Sequence, residues 1–128
     1  MSFRYLLLVV VFATVAGCTS APIRNVSDGP VVTGSGKAVT AEQVRAAIVG
    51  AGKGLGWSMT PADPGLVVGR ITLRGHTAVI DVRYTPKTFS IQYKDSTGLN
   101  YQNGQIHKNY NGWVDNLERD IRGNLLAL

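Results

Sequence analysis

Two histidines, one cysteine and a hydroxyl-rich loop hold the groups of this sequence that chemistry could use. His76 follows the Arg74-Gly75 pair, and His107 stands just before an apolar-periodic segment. A hydrolytic site needs a nucleophile, a base and an acid that orients the base. Ser96, His107 and Asp95 can be written down as such a set, but almost any sequence offers one. A structural or catalytic zinc site needs several His, Cys or carboxylate ligands at short spacing, and no H-x-x-x-H pair or Cys/His cluster occurs. The glycine row at 50, 52, 54 and 56 fits neither G-x-G-x-x-G nor a P-loop, and it ends a helix where phosphate-binding loops precede one. The expectation is therefore no catalytic residue, no metal and no cofactor: a non-enzymatic chain whose chemistry is binding.

A binding surface needs elements to hold it. Thr40-Ala41-Glu42-Gln43 reads as a capping box, so a helix starts at residue 40. Val44, Ala47, Ile48, Ala51 and Leu55 recur along one face, and the glycines weaken and end that helix before Trp57, a core anchor. Three alternating runs follow, Leu66 to Leu73, His76 to Thr85 and Thr88 to Lys94, separated by Arg74-Gly75 and Pro86-Lys87. If both separators are tight hairpin turns, register can be computed. Ile71 then opposes Ala78, Gly69 opposes Ile80, Val67 opposes Val82, Tyr84 opposes Phe89, Val82 opposes Ile91, and Ile80 opposes Tyr93. All of these share one face. The other face receives Thr72 with Thr77, Arg70 with Val79 and Lys94, Asp81 with Gln92, and Arg83 with Ser90.

After a polar loop at 95–104, the segment from about Lys108 puts Tyr110, Trp113, Val114, Leu117 and Ile121 on one helical stripe, with mixed charges outside. The expected fold is α+β, a two-layer sandwich in which a three-stranded antiparallel meander carries two helices on one face, in the order α-β-β-β-α. Its uncovered face presents Arg70, Asp81, Arg83, Gln92 and Lys94 as the candidate binding residues. Either outer strand of the meander also offers an edge for a partner to extend.

The chain has 128 residues, 45% apolar and 16% charged, with 13 Lys+Arg against 8 Asp+Glu, which suits one small domain. Residues 40–128 mix both signs rather than concentrating basic charge, which argues against nucleic acid as a partner. Residues 19–39, rich in Ser, Thr, Gly and Pro, have the composition of a flexible tether, with an edge strand at Val31-Val32-Thr33 as the alternative. Ahead of them, one basic residue and the apolar run from Tyr5 to Ala16 match a signal peptide and are too short to span a bilayer. From the residues alone, Cys18 could be the odd thiol of a secreted protein or a buried cysteine.

Val15-Ala16-Gly17-Cys18 resembles the lipobox of bacterial lipoproteins. That resemblance implies cleavage between Gly17 and Cys18, acylation of Cys18, and domain boundaries of 1–17 for the signal, 18–39 for the lipidated cysteine and tether, and 40–128 for the α+β domain. With Thr19 rather than Asp after the cysteine, it further implies the periplasmic face of the outer membrane, with the lipid bilayer as one partner. The pattern Tyr93-Lys94-Asp95-Ser96, Leu99-Asn100-Tyr101, Ile106-His107 and Tyr110-Asn111-Gly112-Trp113, with Leu117 and Ile121, is similar to a family of small uncharacterised proteobacterial outer-membrane lipoproteins. It implies a compact α+β domain and transfers no activity. A looser similarity is to the small lipoprotein of the outer-membrane β-barrel assembly complex, where both helices precede the strands. The expected function is an anchored periplasmic module that binds an envelope protein, or alternatively peptidoglycan or lipid, through the basic and polar sheet face.

Overall fold

The computed structural model describes residues 19–128; the signal segment, Gly17 and Cys18 lie outside the described residues. In chain order the elements are β1 (Ser20–Pro22), β2 (Val26–Pro30), α1 (Ala41–Gly54), β3 (Ser58–Pro61), β4 (Leu66–Leu73), β5 (His76–Tyr84), β6 (Thr88–Thr97), β7 (Gln105–His107) and α2 (Lys108–Leu126). The fold is α+β. One antiparallel sheet runs β2-β6-β5-β4-β3, and β1 pairs with β7 in a separate two-stranded ribbon.

Helix α1 begins as its sequence dictates. The Thr40 hydroxyl accepts from the Gln43 amide at 3.2 Å, and the Gln43 side chain accepts from the Thr40 amide at 3.0 Å. At the other end Gly56 takes φ +90°, the Gly56 amide donates to Lys53 O, and the Trp57 amide donates to Gly52 O at 2.9 Å. These two bonds form a Schellman motif, which turns the chain so that Trp57 enters the core.

The meander β4-β5-β6 has the register that its separators require. Arg74 and Gly75 both have positive φ, 51° and 79°, as the two central residues of a type I′ hairpin need. At the second turn the Thr85 hydroxyl accepts from the amides of Lys87 and Thr88, each at 3.0 Å. All six core-face pairs computed from the sequence are present, from Ile71 with Ala78 to Ile80 with Tyr93. Val67, Ile71, Ala78, Ile80, Val82, Phe89 and Ile91 are buried beneath the helices. Helix α2 presents Tyr110, Val114, Leu117, Ile121 and Leu125 to the same core, with Trp113 only half-buried. The Asn124 side chain donates to Ala47 O at 3.0 Å and ties the two helices together.

Three expectations are corrected. The three-stranded meander is the centre of a five-stranded sheet, because β2 covers the edge of β6 and β3 covers the edge of β4. The order α-β-β-β-α is accordingly incomplete. Second, Lys94 does not oppose Val79: a bulge between Val79 and Ile80 pairs Val79 with Asp95 and leaves Lys94 over as the extra residue.

Third, the stretch read as a tether belongs to the fold. Val26 is buried opposite Ile91, and Gly29 pairs with Phe89. The Arg24 amide donates to Asn111 Oδ1, Asn111 Nδ2 donates to Pro22 O, and the Tyr93 amide donates to Asn25 Oδ1, all near 3 Å. The Arg24 guanidinium pairs with Asp115 and with Glu118. Even the irregular stretch that follows is tied down, since the Val31 amide donates to Lys87 O and the Gly34 amide to Leu126 O. The fold therefore takes in residues ahead of residue 40, and its added edge strand is 26–30 rather than 31–33. Asp28 at φ 48° and Pro30 suit an irregular outer strand, and it is this same composition that resembles a linker.

Candidate binding face

The side of the five-stranded sheet turned away from the helices places Arg70, Asp81, Arg83, Gln92 and Lys94 together, as alternation requires. Arg70 lies on β4 between Ser58 and Val79; Arg83 on β5 lies between Leu66 and Ser90; Asp81 is flanked by Val68 and Gln92. Four strand positions separate the levels of the two arginines, roughly 13 Å at the rise of a β-strand. Neither forms an ion pair among the described residues, whereas Lys94 Nζ lies 3.5 Å from Asp81 Oδ1. That oxygen is shielded from solvent and accepts no hydrogen bond among the described residues, so the attraction of Lys94 is what compensates it there. The result is a flat, open, polar surface with one neutralised charge pair near its centre and two free guanidinium groups apart from each other. Such a surface suits an extended partner rather than a small enclosed ligand.

The residues considered for hydrolysis are committed elsewhere. The Ser96 hydroxyl shares a hydrogen bond of 2.7 Å with Tyr93, and the Asp95 carboxylate accepts the Ser96 amide. His107 caps α2, its Nδ1 accepting from the Asn109 amide at 3.1 Å. The backbone of 105–107 brings His107 beside His76, with ring centroids 6.3 Å apart and planes 20° apart. The Nδ1 of His76 bonds to Gly98 O at 2.7 Å, so both rings have one nitrogen engaged. Among the described residues no group of three His, Cys, Asp or Glu residues lies close enough to hold a metal ion, and no helix is long and apolar enough to cross a membrane.

Sequence reasoning missed two clusters. The first is the Arg24, Asp115, Glu118 and Arg122 network, in which Arg122 Nη2 reaches Glu118 at 3.9 Å and its guanidinium lies 5.2 Å from the centre of the Phe89 ring. Nothing in the composition of 19–39 marks Arg24 as different from any tether residue. The second is aromatic: Tyr93 stacks on Tyr101 at 4.3 Å and meets Tyr110 edge-on at 5.7 Å.

Tyr110 is fully buried, and its hydroxyl has no partner among the described residues. Desolvation, with the neighbouring Tyr93 adding to it, pushes the ionisation of that hydroxyl well above the usual tyrosine range. An unpaired buried hydroxyl costs about 1–3 kcal/mol, so Tyr110→Phe is expected to stabilise the domain by about 1 kcal/mol. Urea unfolding checks this, and a loss of stability in the variant would show that the hydroxyl is hydrogen-bonded after all.

Compared with known proteins, the chain matches no family model, no curated protein and no solved structure.

Proposed function

We propose that this protein is a lipoprotein, held through acylated Cys18 at the periplasmic face of the outer membrane, whose domain is a non-enzymatic module that binds an envelope protein. The observation that supports this reading best is the open sheet face, with unpaired Arg70 and Arg83 on either side of the Asp81–Lys94 pair. Partner contact by strand addition is less suited, because β2 and β3 already occupy the edges that the meander alone would leave open. The outer strands that remain are short and contain Pro30 and Pro61, which cannot donate to a new ladder.

The free guanidinium groups also favour a second reading, recognition of an anionic cell-wall saccharide or lipid phosphate. Amide NMR titration of the domain with soluble peptidoglycan fragments separates the two. The protein-binding reading expects no shifts at Arg70, Asp81, Arg83, Gln92 or Lys94. A photo-crosslinker at Gln92 should then capture one discrete envelope protein in intact cells, and Arg83→Glu should abolish that adduct. Saturable shifts confined to these residues would instead make the domain a wall or lipid binder. Turnover of an envelope substrate by the purified chain would refute both.

A further inference from the structure

The place where acylated Cys18 would join the domain is fixed by the fold. Thr19, its neighbour, accepts the Lys108 amide through its carbonyl at 2.7 Å, and β1 continues along β7 with Ser20 opposite His107. Consecutive Cα atoms are only about 3.8 Å apart, so no length of free chain separates the lipidated residue from the folded body. The end of the molecule beside Thr19 must then sit at the headgroups.

Three stretches converge on that end. The ribbon brings 19–23 beside 104–108. His76 contacts Gly98 and stacks over His107, which draws in the β4-β5 hairpin tip. Residues 19–23, 73–77 and 98–111 contain no Asp or Glu, and their charged groups are Arg74 and Lys108, with His76 and His107 between them. The first turn of α2 is free of acidic residues too. At the same end Leu73 and Tyr101 are 44% and 48% exposed; the other exposed large apolar side chains among the described residues are Val32, Leu126 and Leu128. Basic groups attract anionic lipid, while exposed leucine and tyrosine side chains settle at the level of the headgroups.

We propose that this end is a membrane-docking surface for an anionic phospholipid bilayer, with Arg74 and Lys108 over lipid phosphates and Leu73 and Tyr101 at the interface. The domain then lies on the bilayer in one orientation, with the polar sheet face held at a set angle to it. The inference rests on the acylation of Cys18. The acyl chains supply the attachment, and docking fixes how the domain lies on the bilayer.

The test uses the full-length chain, expressed with its own signal, purified in processed form and placed in nanodiscs of phosphatidylethanolamine and phosphatidylglycerol. Mass spectrometry first establishes whether Cys18 carries acyl groups. Headgroup spin-labelled lipid should then broaden the amides of Leu73 to His76, Tyr101 and Lys108, while those of Lys37 and Lys87, together beside the β5-β6 turn, stay sharp. Arg74→Glu with Lys108→Glu should lower that broadening at least about twofold, whereas the charge-matched Lys37→Glu with Lys87→Glu should not. An acylated protein with uniform broadening, or with none, overturns the docking surface and leaves the lipoprotein reading intact. An unacylated Cys18 overturns both.

Discussion

A fragment that starts at Thr40 is expected not to fold, whereas one that starts at Thr19 is expected to unfold cooperatively. The difference is the segment 19–39. Its removal takes away the buried side chain of Val26, worth about 1.5–3 kcal/mol. It also takes away the bonds from Asn25 to Tyr93, from Arg24 to Asn111 and from Thr19 to Lys108. Each such bond contributes a net ~0.5–1.5 kcal/mol. Glu118, mostly shielded from solvent, would retain only the longer contact with Arg122. Against a typical domain stability of about 5–15 kcal/mol, the combined loss is decisive. The stripped edge of β6 would further invite aggregation through its unpaired amides and carbonyls. Collapsed amide dispersion in the NMR spectrum and a non-cooperative urea curve are the expected signs. A fragment from Thr40 with the same unfolding midpoint as the longer one would mean that the N-terminal strands merely decorate the fold.

Phe89→Ala should be the most damaging single substitution on the core face of β6, costing about 3–5 kcal/mol. The ring is completely buried opposite Tyr84 and packs against Gly29 of β2, where an added Cβ would lie 3.2 Å from it. It also lies beneath the Arg122 guanidinium of α2. Three elements distant in sequence therefore share one side chain, and a cavity there cannot be closed by moving any one of them. The urea midpoint should fall sharply with an unchanged m-value. Phe89→Leu should lose distinctly less, since it retains most of the buried apolar volume. In an Arg122→Gln background the cost of Phe89→Ala should shrink by the cation–π share, about 0.5–1 kcal/mol at a partly exposed site. Equal costs for Leu and Ala would show that the ring packs loosely and would refute the argument.

Local signals explain what could be read in advance. The Thr40 capping box, the glycines that end α1 and the Arg74-Gly75 turn act within a few residues, and each appears as its residues dictate. Two turns in series then fixed the register of β4, β5 and β6, and with it the face that holds Arg70, Asp81, Arg83 and Gln92. The pairing of Val79 with Asp95 rather than Lys94 was not legible, because a bulge is something alternation cannot announce. The strands β1 and β2 were not legible either. They are short, irregular and rich in small polar residues, and what makes them strands lies on β6, β7 and α2, some 60 to 90 positions further on. For the same reason the juxtaposition of His76 with His107 had no signature in either neighbourhood.

The attachment of the first strands has a bearing on when the fold can exist at all. Thr19 waits for Lys108, Arg24 for Asp115 and Glu118, and Gly34 for Leu126. A chain made from its N-terminus onward holds β2 without its partner until β6 has been synthesised, and β1 without its partner until β7 has. Loop closure over that distance must precede any reward from these contacts. An unfinished chain therefore cannot complete the native core, and its first strands stay unpaired until β6 and β7 are made. That is the state in which a chain can still be threaded through a narrow channel.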